Sequence, residues 1–296
     1  MTTVAAALAA ARARLPASEA RLLLGHVLGR TAAWLVAHDD EALGEDALLN
    51  FASLVARRAG GEPVAYLLGH REFFGRCFAV SPAVLIPRPE TELLIELAVS
   101  RVGAGGTANI LDLGTGSGCI AITLALELPR AHVTAVDSSS AALQVAAGNA
   151  RALGASLRLV QGDWFAGLGG ERFDLIVSNP PYVAAADTHL AVGDLRHEPL
   201  QALASGADGL DAIRTIAAQA RRHLLPEGAL LIEHGYDQAE AVRALMVGGG
   251  LSGITDHPDL AGVLRVTAGI LSRSERAFAD GLESESCPGQ RVKTKQ

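Results

Sequence analysis

Lysine is almost absent from this chain of 296 residues. The only two lysines, Lys293 and Lys295, lie next to the carboxyl terminus, and arginine supplies the other permanently charged basic side chains. The formal net charge is −7, which argues against a broad face for binding nucleic acid. We therefore expect no direct contact with nucleic acid.

Cysteine and long apolar runs are also scarce. Cys77, Cys119 and Cys287 are far apart and odd in number, so they predict neither a disulfide framework nor a zinc site. The longest stretch without Asp, Glu, Lys or Arg, Leu113–Leu126, has 14 residues and falls short of the roughly 18 that a membrane span needs. The first arginines follow the apolar N-terminus, which is the reverse of a secretory signal. We predict a cytoplasmic protein without a membrane segment.

Hydrophobic residues make up 49% of the chain, enough to bury a large core, and the length suits two domains. Residues 1–70 carry apolar residues at helical spacing and predict a helical N-terminal domain, whose last helix ends at Gly60-Gly61. Phenylalanines and aliphatic residues interrupted by Gly75 and Ser81-Pro82 predict a hairpin linker over residues 71–90.

From residue 91 onward, predicted strands and helices alternate. Strands are predicted at Asn109–Leu113, His132–Asp137, Leu157–Val160, Phe173–Ser178 and Ala229–Glu233. Helices are predicted at Cys119–Glu127, Ala141–Leu153 and Ala212–Leu224. Such alternation is typical of an α/β fold with a mostly parallel sheet and helices on both faces, which we assign to residues 91–270. Residues 271–296 lose the pattern and predict a disordered tail.

A glycine-rich loop follows the first of these strands. After Asp112-Leu113 it consists of Gly114, Thr115, Gly116, Ser117 and Gly118. Glycine allows tight turns and the close approach of a ligand, here beside the N-terminus of a predicted helix. The spacing G-x-G-x-G differs from the G-x-G-x-x-G of a dinucleotide loop, and such a loop alone is a weak signal.

Two further strand ends carry side chains suited to a nucleoside. Asp137 ends the second strand, where a carboxylate can accept both ribose hydroxyls, and Asp163-Trp164 follows the third, where an aromatic face can lie against adenine. Each has a plain structural alternative, because Asp137 can cap the next helix and Trp164 can be a core aromatic. Three successive strand ends that each supply part of an adenosyl ligand predict S-adenosylmethionine as the cofactor.

The fourth strand ends in Asn179-Pro180-Pro181-Tyr182. The nitrogen of an amide or exocyclic amine is a poor nucleophile because its lone pair is delocalised, but two acceptors aimed at its N–H groups can orient it towards a methyl group. The Asn179 side-chain oxygen and the Pro180 carbonyl can be those acceptors, and Tyr182 can pack on the flat face. Alone, the tetrapeptide can also be an ordinary turn stiffened by proline. We predict Asn179, Pro180 and Tyr182 as catalytic residues and all four residues as the substrate site.

Further pieces complete a family pattern. They are Gly61-Glu62-Pro63, Arg71-Glu72-Phe73, Leu85–Glu92, Asp163-Trp164-Phe165, Glu198-Pro199, Glu233-His234-Gly235 and Asp259–Gly262. With them, the chain resembles the bacterial release-factor glutamine methyltransferases, the PrmC/HemK family, over about residues 15–268. It departs from that family at Leu251, where an aromatic is usual, and at Val263-Leu264, where charged residues are common.

The resemblance implies a class I S-adenosylmethionine-dependent methyltransferase with a small N-terminal all-α domain that helps to bind the substrate. The methyl group would go to the side-chain amide nitrogen, N5, of the glutamine in the GGQ motif of class I peptide chain release factors. The implied cofactor site is Gly114–Gly118, Asp137, Trp164 and Asn179, and the implied glutamine site is Asn179–Tyr182. We expect a monomer. No His or Glu is obviously placed as a general base.

Three other functions stay open at this point. An adenine-N6 methyltransferase shares the Asn/Asp-Pro-Pro-Tyr turn, although the acidic balance and the lack of a basic appended domain argue against it. A sister glutamine methyltransferase acts on a ribosomal protein, and the Ile86–Thr91 junction favours the release-factor branch by resemblance. A protein that senses S-adenosylmethionine without catalysis would not need the amide clamp.

Overall fold

The computed structural model describes residues 1–103 and 105–273. The chain begins with the helices α1 (Val4–Ala11), α2 (Ala17–Leu28), α3 (Ala32–Ala37), α4 (Glu45–Ala59) and α5 (Val64–Leu68). Buried Leu23, Leu24, Leu35 and Phe51 belong to a core that these helices share. Short helices are marginal alone, so this shared core stabilises them. The helical character is as predicted, whereas the domain boundary near residue 70 stays a prediction.

An antiparallel hairpin follows, formed by β1 (His70–Phe73) and β2 (Arg76–Ala79). Gly75 in its turn has a φ of 70°, which favours glycine. The hairpin is shorter than the predicted linker, because the prolines at 82, 87 and 89 offer no N–H for pairing. The chain then enters a 3-10 turn at Pro89–Thr91 and helix α6 (Glu92–Val102).

A seven-stranded sheet has the strand order β5-β4-β3-β6-β7-β9-β8. Its strands are β3 (Asn109–Leu113), β4 (His132–Asp137), β5 (Arg158–Gln161), β6 (Phe173–Ser178), β7 (Leu224–Glu233), β8 (Ser252–Pro258) and β9 (Leu264–Ile270). The helices are α7 (Cys119–Glu127), α8 (Ser140–Leu153), α9 (Asp211–His223) and α10 (Ala239–Gly248). The strands β3 to β7 pair in parallel, and β9 pairs antiparallel with β7 and β8. The predicted α/β fold class is confirmed.

The central strands are buried on both faces of the sheet. Ile110 and Leu175 belong to one core cluster, and the next residues along each strand, Leu111 and Ile176, belong to another. Alternate side chains of a strand point to opposite faces, so a strand covered on both sides reads as a continuous apolar run. This is why the sequence predicts the parallel strands well.

The last third of the chain differs more from the predicted elements. The alternation does not predict β8, whose residues alternate between half-buried and exposed at the sheet edge, nor α10. Strand β7 starts at Leu224, five residues before the predicted start, although Glu227 there has a φ of 65°. Leu251, where the resembled family usually has an aromatic, is buried in the core.

The predicted tail begins too early at residue 271. Leu271 is 1% exposed, and its N–H donates to the Gly228 carbonyl at 2.9 Å. The Arg273 N–H donates to the Glu227 carboxylate at 3.0 Å. The packed chain therefore extends at least three residues further, because Leu271 continues the pairing of β9 with β7. The rest of the predicted tail lies outside the described residues.

Across residues 1–103 and 105–273, no helix is both long and apolar enough to cross a membrane. In the same part of the chain, no group of three or more His, Cys, Asp and Glu residues can hold a metal ion. Cys77 and Cys119 are free thiols there, and Cys287 lies outside it.

Candidate active site

The glycine loop connects β3 to α7 in a backbone conformation that needs glycine. Gly114, Gly116 and Gly118 have φ values of 74°, 55° and 81°, in the left-handed region that residues with a Cβ rarely adopt. A Cβ added at Gly118 would lie 2.8 Å from Ile122 Cδ1. At Gly116 it would meet no described atom within 4 Å, so this side of the loop is open to a ligand.

Two of the predicted cofactor contacts lie beneath the loop. Thr115 and Ser117 are 3% and 2% exposed, and the Thr115 hydroxyl donates to Asp112 Oδ2 at 2.6 Å. Burial raises the pKa of Asp112 to about 7, and the nearby charge of Asp137 adds to this shift. The side chains of Thr115 and Ser117 therefore shape the loop from below, and cofactor contacts through them or Gly118 stay a prediction.

Asp137 supports the loop from the end of β4. Its Oδ2 accepts the Gly116 N–H at 2.8 Å, and its Oδ1 accepts the Ser139 N–H at 2.9 Å. The cap of α8 is Ser139, whose hydroxyl accepts the Ala142 N–H at 3.2 Å. The alternative role of Asp137 as the helix cap is therefore wrong, and each of its oxygens retains a lone pair for a ligand.

Trp164 faces both the core and the loop. It packs half-buried against the core cluster on one face of the sheet. Its Cζ3 lies 3.6 Å from where a Cβ on Gly114 would be. Its φ of 50° is unusual for a bulky residue and turns the indole across the strand ends. Both roles considered for Trp164, core aromatic and wall of a nucleoside site, fit its position.

These strand ends line a cleft that is open to solvent. Among the residues that line it are Gly114, Gly116, Asp137, Asp163, Trp164, Asn179 and Pro181. An open glycine loop, a carboxylate with free lone pairs and an indole fit the predicted adenosyl ligand.

Asn179 lines this cleft and also borders a second cavity. Pro180 and Tyr182 line that second cavity together with Leu85 and Arg88. The Asn179 Nδ2 donates to the Thr91 hydroxyl at 3.0 Å, which leaves its Oδ1 as an acceptor without a protein donor among the described residues. The structure thus brings the predicted methyl-donor site and the predicted amide site together at one side chain.

Glu233 lies beside the predicted site, and the sequence predicted no role for it. It ends β7, is 1% exposed, and lies next to Thr91 and Asn179. Burial raises its pKa to about 7, and hydrogen bonds from Thr91 and Asn179 partly oppose the rise. The sequence did contain a sign of this position. Glu233 is an acid directly after the apolar run Ala229–Ile232, and it ends a strand as Asp137 does.

Two family models match the chain. A "PrmC N-terminal domain" model covers residues 1–69, and a "Methyltransferase small domain" model covers residues 89–206. The release factor glutamine methyltransferase of Bordetella pertussis is 53% identical over 87% of this chain and 96% of that protein. The one of Burkholderia pseudomallei is 50% identical over 87% and 93%. The chain belongs to this family. It is a methyltransferase.

Solved structures show the same fold at low identity. The catalytic domain of hMettl16 in complex with the MAT2A 3'UTR hairpin 1 has a TM-score of 0.55 at 16% identity, over 74% of this chain and 81% of that one. A methyltransferase from Pyrococcus furiosus has a TM-score of 0.53 at 18% identity, over 75% and 99%. The class I methyltransferase fold is therefore shared across distant sequences.

The loop of residues 183–206 contacts the N-terminal helical region of this methyltransferase and also lines the second cavity. Residues 183–206 contribute Leu195 and Leu203 to the cavity wall. Glu198 in this loop is buried, accepts the Ile86 N–H at 3.0 Å and pairs with Arg88. Two motifs of the family pattern, Glu198-Pro199 and Leu85–Glu92, are thus in contact beside the predicted amide site.

We predict that Asp137→Ala weakens the binding of S-adenosylmethionine by about ten- to a hundredfold, because two hydrogen-bond acceptors and the support of Gly116 are lost. Isothermal titration calorimetry measures the dissociation constant. Asp174→Ala is the matched control, because Asp174 accepts the Asn109 N–H at 2.8 Å near the other end of the strands. Equal affinities of Asp137→Ala and wild type would refute a cofactor role for Asp137.

Proposed function

We propose that this protein transfers a methyl group from S-adenosylmethionine to the side-chain amide nitrogen of the glutamine in the GGQ motif of class I peptide chain release factors. The observation that carries the proposal is the position of Asn179, with a free acceptor oxygen between the cleft and the second cavity. Relatives with half of their residues identical to this chain are named release factor glutamine methyltransferases.

The cofactor is S-adenosylmethionine, which supplies an electrophilic methyl group on a positively charged sulfur. Gly114, Gly116, Asp137, Trp164 and Asn179 would hold it, through backbone, carboxylate, indole and amide groups. These residues line one cleft at the strand ends, so binding there limits the orientations open to the ligand.

The residues after β6 act on the glutamine. In the proposed geometry, the Asn179 Oδ1 and the Pro180 carbonyl accept the two N–H groups of the substrate amide, and Tyr182 packs on its flat face. As the new C–N bond forms, the amide loses resonance and its N–H groups become more acidic. Both hydrogen bonds then strengthen in the transition state, which is where they accelerate the reaction. S-adenosylhomocysteine would be the leaving group, and one N–H proton would pass from the nitrogen to water to complete the transfer.

The direct test is transfer of labelled methyl from S-adenosylmethionine to a purified class I release factor. We expect label on the wild-type factor and none on a factor whose GGQ glutamine is replaced by alanine. Label on both would move the target to another residue. No label on either, with cofactor binding intact, would contradict the proposed substrate and direct the assay to adenine-containing nucleic acid and to ribosomal proteins.

Asn179→Ala should lower the rate of release-factor methylation by about a hundredfold or more, because one acceptor for the amide is lost. The affinity for S-adenosylmethionine should fall much less, since the glycine loop and Asp137 remain. Single-turnover kinetics and calorimetry separate the two effects. Asn50→Ala, at an exposed position on α4, is the control. Normal methylation by Asn179→Ala would rule out the amide clamp.

We propose further that the N-terminal helices help to bind the release factor. Arg58 on α4 binds Glu19 at 2.7 Å and Asp194 of the loop 183–206 at 2.7 Å. Arg196 of the same loop donates to the Gly60 carbonyl at 2.5 Å. The helical region therefore supports the loop that forms a wall of the second cavity, which favours a role in substrate binding.

Arg58→Ala should raise the KM for the release factor several-fold with a smaller change in kcat, because the loop 183–206 loses its anchor on α4. Steady-state kinetics with varied release factor measures both constants. Arg57→Ala is the matched control, since Arg57 is the adjacent arginine and pairs only with Glu62 of its own region among the described residues. An Arg58→Ala enzyme with the KM of Arg57→Ala would argue against this role.

Three narrower statements stay predictions. We expect a monomer, a cytoplasmic location beside the translation machinery, and no direct binding to nucleic acid. The net charge of −7 supports the last of these.

A further inference from the structure

Glu233 and Asn179 lie side by side at the ends of neighbouring strands. Ser178 of β6 pairs with Ile232 of β7, so the next residues along, Asn179 and Glu233, lie at the same level of the sheet, where Glu233 still pairs with Val266 of β9. Glu233 is 1% exposed, and its Oε2 is buried with no hydrogen-bond partner within normal distance among the described residues. A buried carboxylate oxygen of this kind is costly, and it calls for a role.

Thr91 connects these two residues from a third part of the chain. It is 2% exposed, in the turn before α6, and its hydroxyl oxygen accepts the Asn179 Nδ2–H at 3.0 Å. A hydroxyl has a single proton to donate. Thr91 and Asn179 both lie close enough to Glu233 to lower the pKa of its carboxyl. Because the lone pair of Thr91 receives Asn179, the hydroxyl proton of Thr91 is left to point towards Glu233.

We infer that Glu233, acting with Thr91, is a positioning residue that fixes the orientation of the Asn179 amide, so that Nδ2 faces the protein and Oδ1 faces the substrate. The inference deepens the proposed function and rests on it. An ionised carboxylate only accepts hydrogen bonds, so it orients Thr91 as a donor and leaves Asn179 one favourable orientation.

The orientation decides whether the clamp works. A planar amide can turn by 180° with little change in shape, which exchanges its oxygen and its NH2 group. A turned Asn179 would direct N–H groups at the N–H groups of the substrate amide, and the acceptor would be lost. On the protein side, Glu233 and Thr91 present acceptor oxygens to the Asn179 amide. In the turned orientation, the Asn179 oxygen would therefore face these two acceptor oxygens, which is unfavourable.

The charge of Glu233 also favours the transition state. Positive charge passes from the sulfonium to the substrate nitrogen as the methyl group moves, and a nearby ionised carboxylate stabilises it. Burial raises the pKa of Glu233 to about 7; Arg265 of β9 lowers it and Glu90 of the preceding turn raises it. Tyr182 also faces Glu233 and stays neutral, because burial raises its pKa. The active, ionised form of Glu233 is therefore lost as the pH falls through about 7.

The test uses the full-length enzyme, S-adenosylmethionine and a class I release factor. Thr91→Val removes the hydroxyl, and Glu233→Gln removes the charge, each with little change of shape. We expect kcat to fall by about 10- to 100-fold in both, with the KM for the release factor and the cofactor affinity within about threefold of wild type. Thr91→Ser should recover most of the rate lost in Thr91→Val. Thr123→Val on α7 is the matched control, because Thr123 is buried and its hydroxyl has no partner among the described residues.

The pH profile distinguishes positioning from a structural role. In wild type, kcat should fall on the acid side of about pH 7, and Glu233→Gln should lack this limb. A Thr91→Val enzyme with the kcat of wild type, or an acid limb that persists in Glu233→Gln, would overturn the inference. If Glu233→Gln does not fold, Thr91→Val against Thr91→Ser still decides. Failure of wild type to methylate any release factor would instead reject the proposed function.

Discussion

The active site depends on the parallel register of three strands, β4, β3 and β6. Leu113 of β3 pairs with both Val136 and Ser178, so the three strands end at the same level. The Ser178 hydroxyl donates to the Leu113 carbonyl at 2.8 Å, and the Gly114 N–H donates to the Val136 carbonyl at 2.9 Å. These bonds hold the strand ends together where the chain turns away. The glycine loop and the Asn179–Tyr182 turn therefore share one wall.

Buried polar side chains hold the loops around the sheet in place through hydrogen bonds. Asn149 of α8 exchanges hydrogen bonds of 2.8 and 3.0 Å with the backbone of Ala79, and it donates to the Ser117 carbonyl at 2.8 Å. It thereby joins the hairpin to the glycine loop. Glu198 does the same between the loop 183–206 and the segment before α6. The bonds to the Ser117 carbonyl and the Ile86 N–H satisfy buried backbone groups, so their loss would leave those groups without a partner and loosen the site.

Two acids near the strand ends are buried, Asp112 on β3 and Glu233 at the end of β7. Burial raises the pKa of each to about 7. A carboxyl with a raised pKa favours folding in its protonated form, so this contribution to stability is present below its ordinary pKa and lost as the pH rises through about 7. The fold thus keeps negative charge close to the cleft at some cost in stability. A positively charged sulfonium ligand offsets part of that cost, which connects the electrostatics of the core to the proposed chemistry.

By itself, the sequence determined the parallel sheet, the helical N-terminal region, the glycine loop and the amide turn, because each depends on local apolar periodicity or on glycine and proline at fixed spacing. The same local logic missed the edge strand β8 and the packing of Leu271, whose side chains are ordered by neighbours far along the chain. Only the tertiary structure decided that Ser139 caps α8, that Thr115 and Ser117 are buried beneath their loop, and that Glu233 is buried beside Asn179. Thr91 and Asn179 are 88 residues apart, and no local pattern encodes their meeting with Glu233; the strand register and the path of the linker produce it.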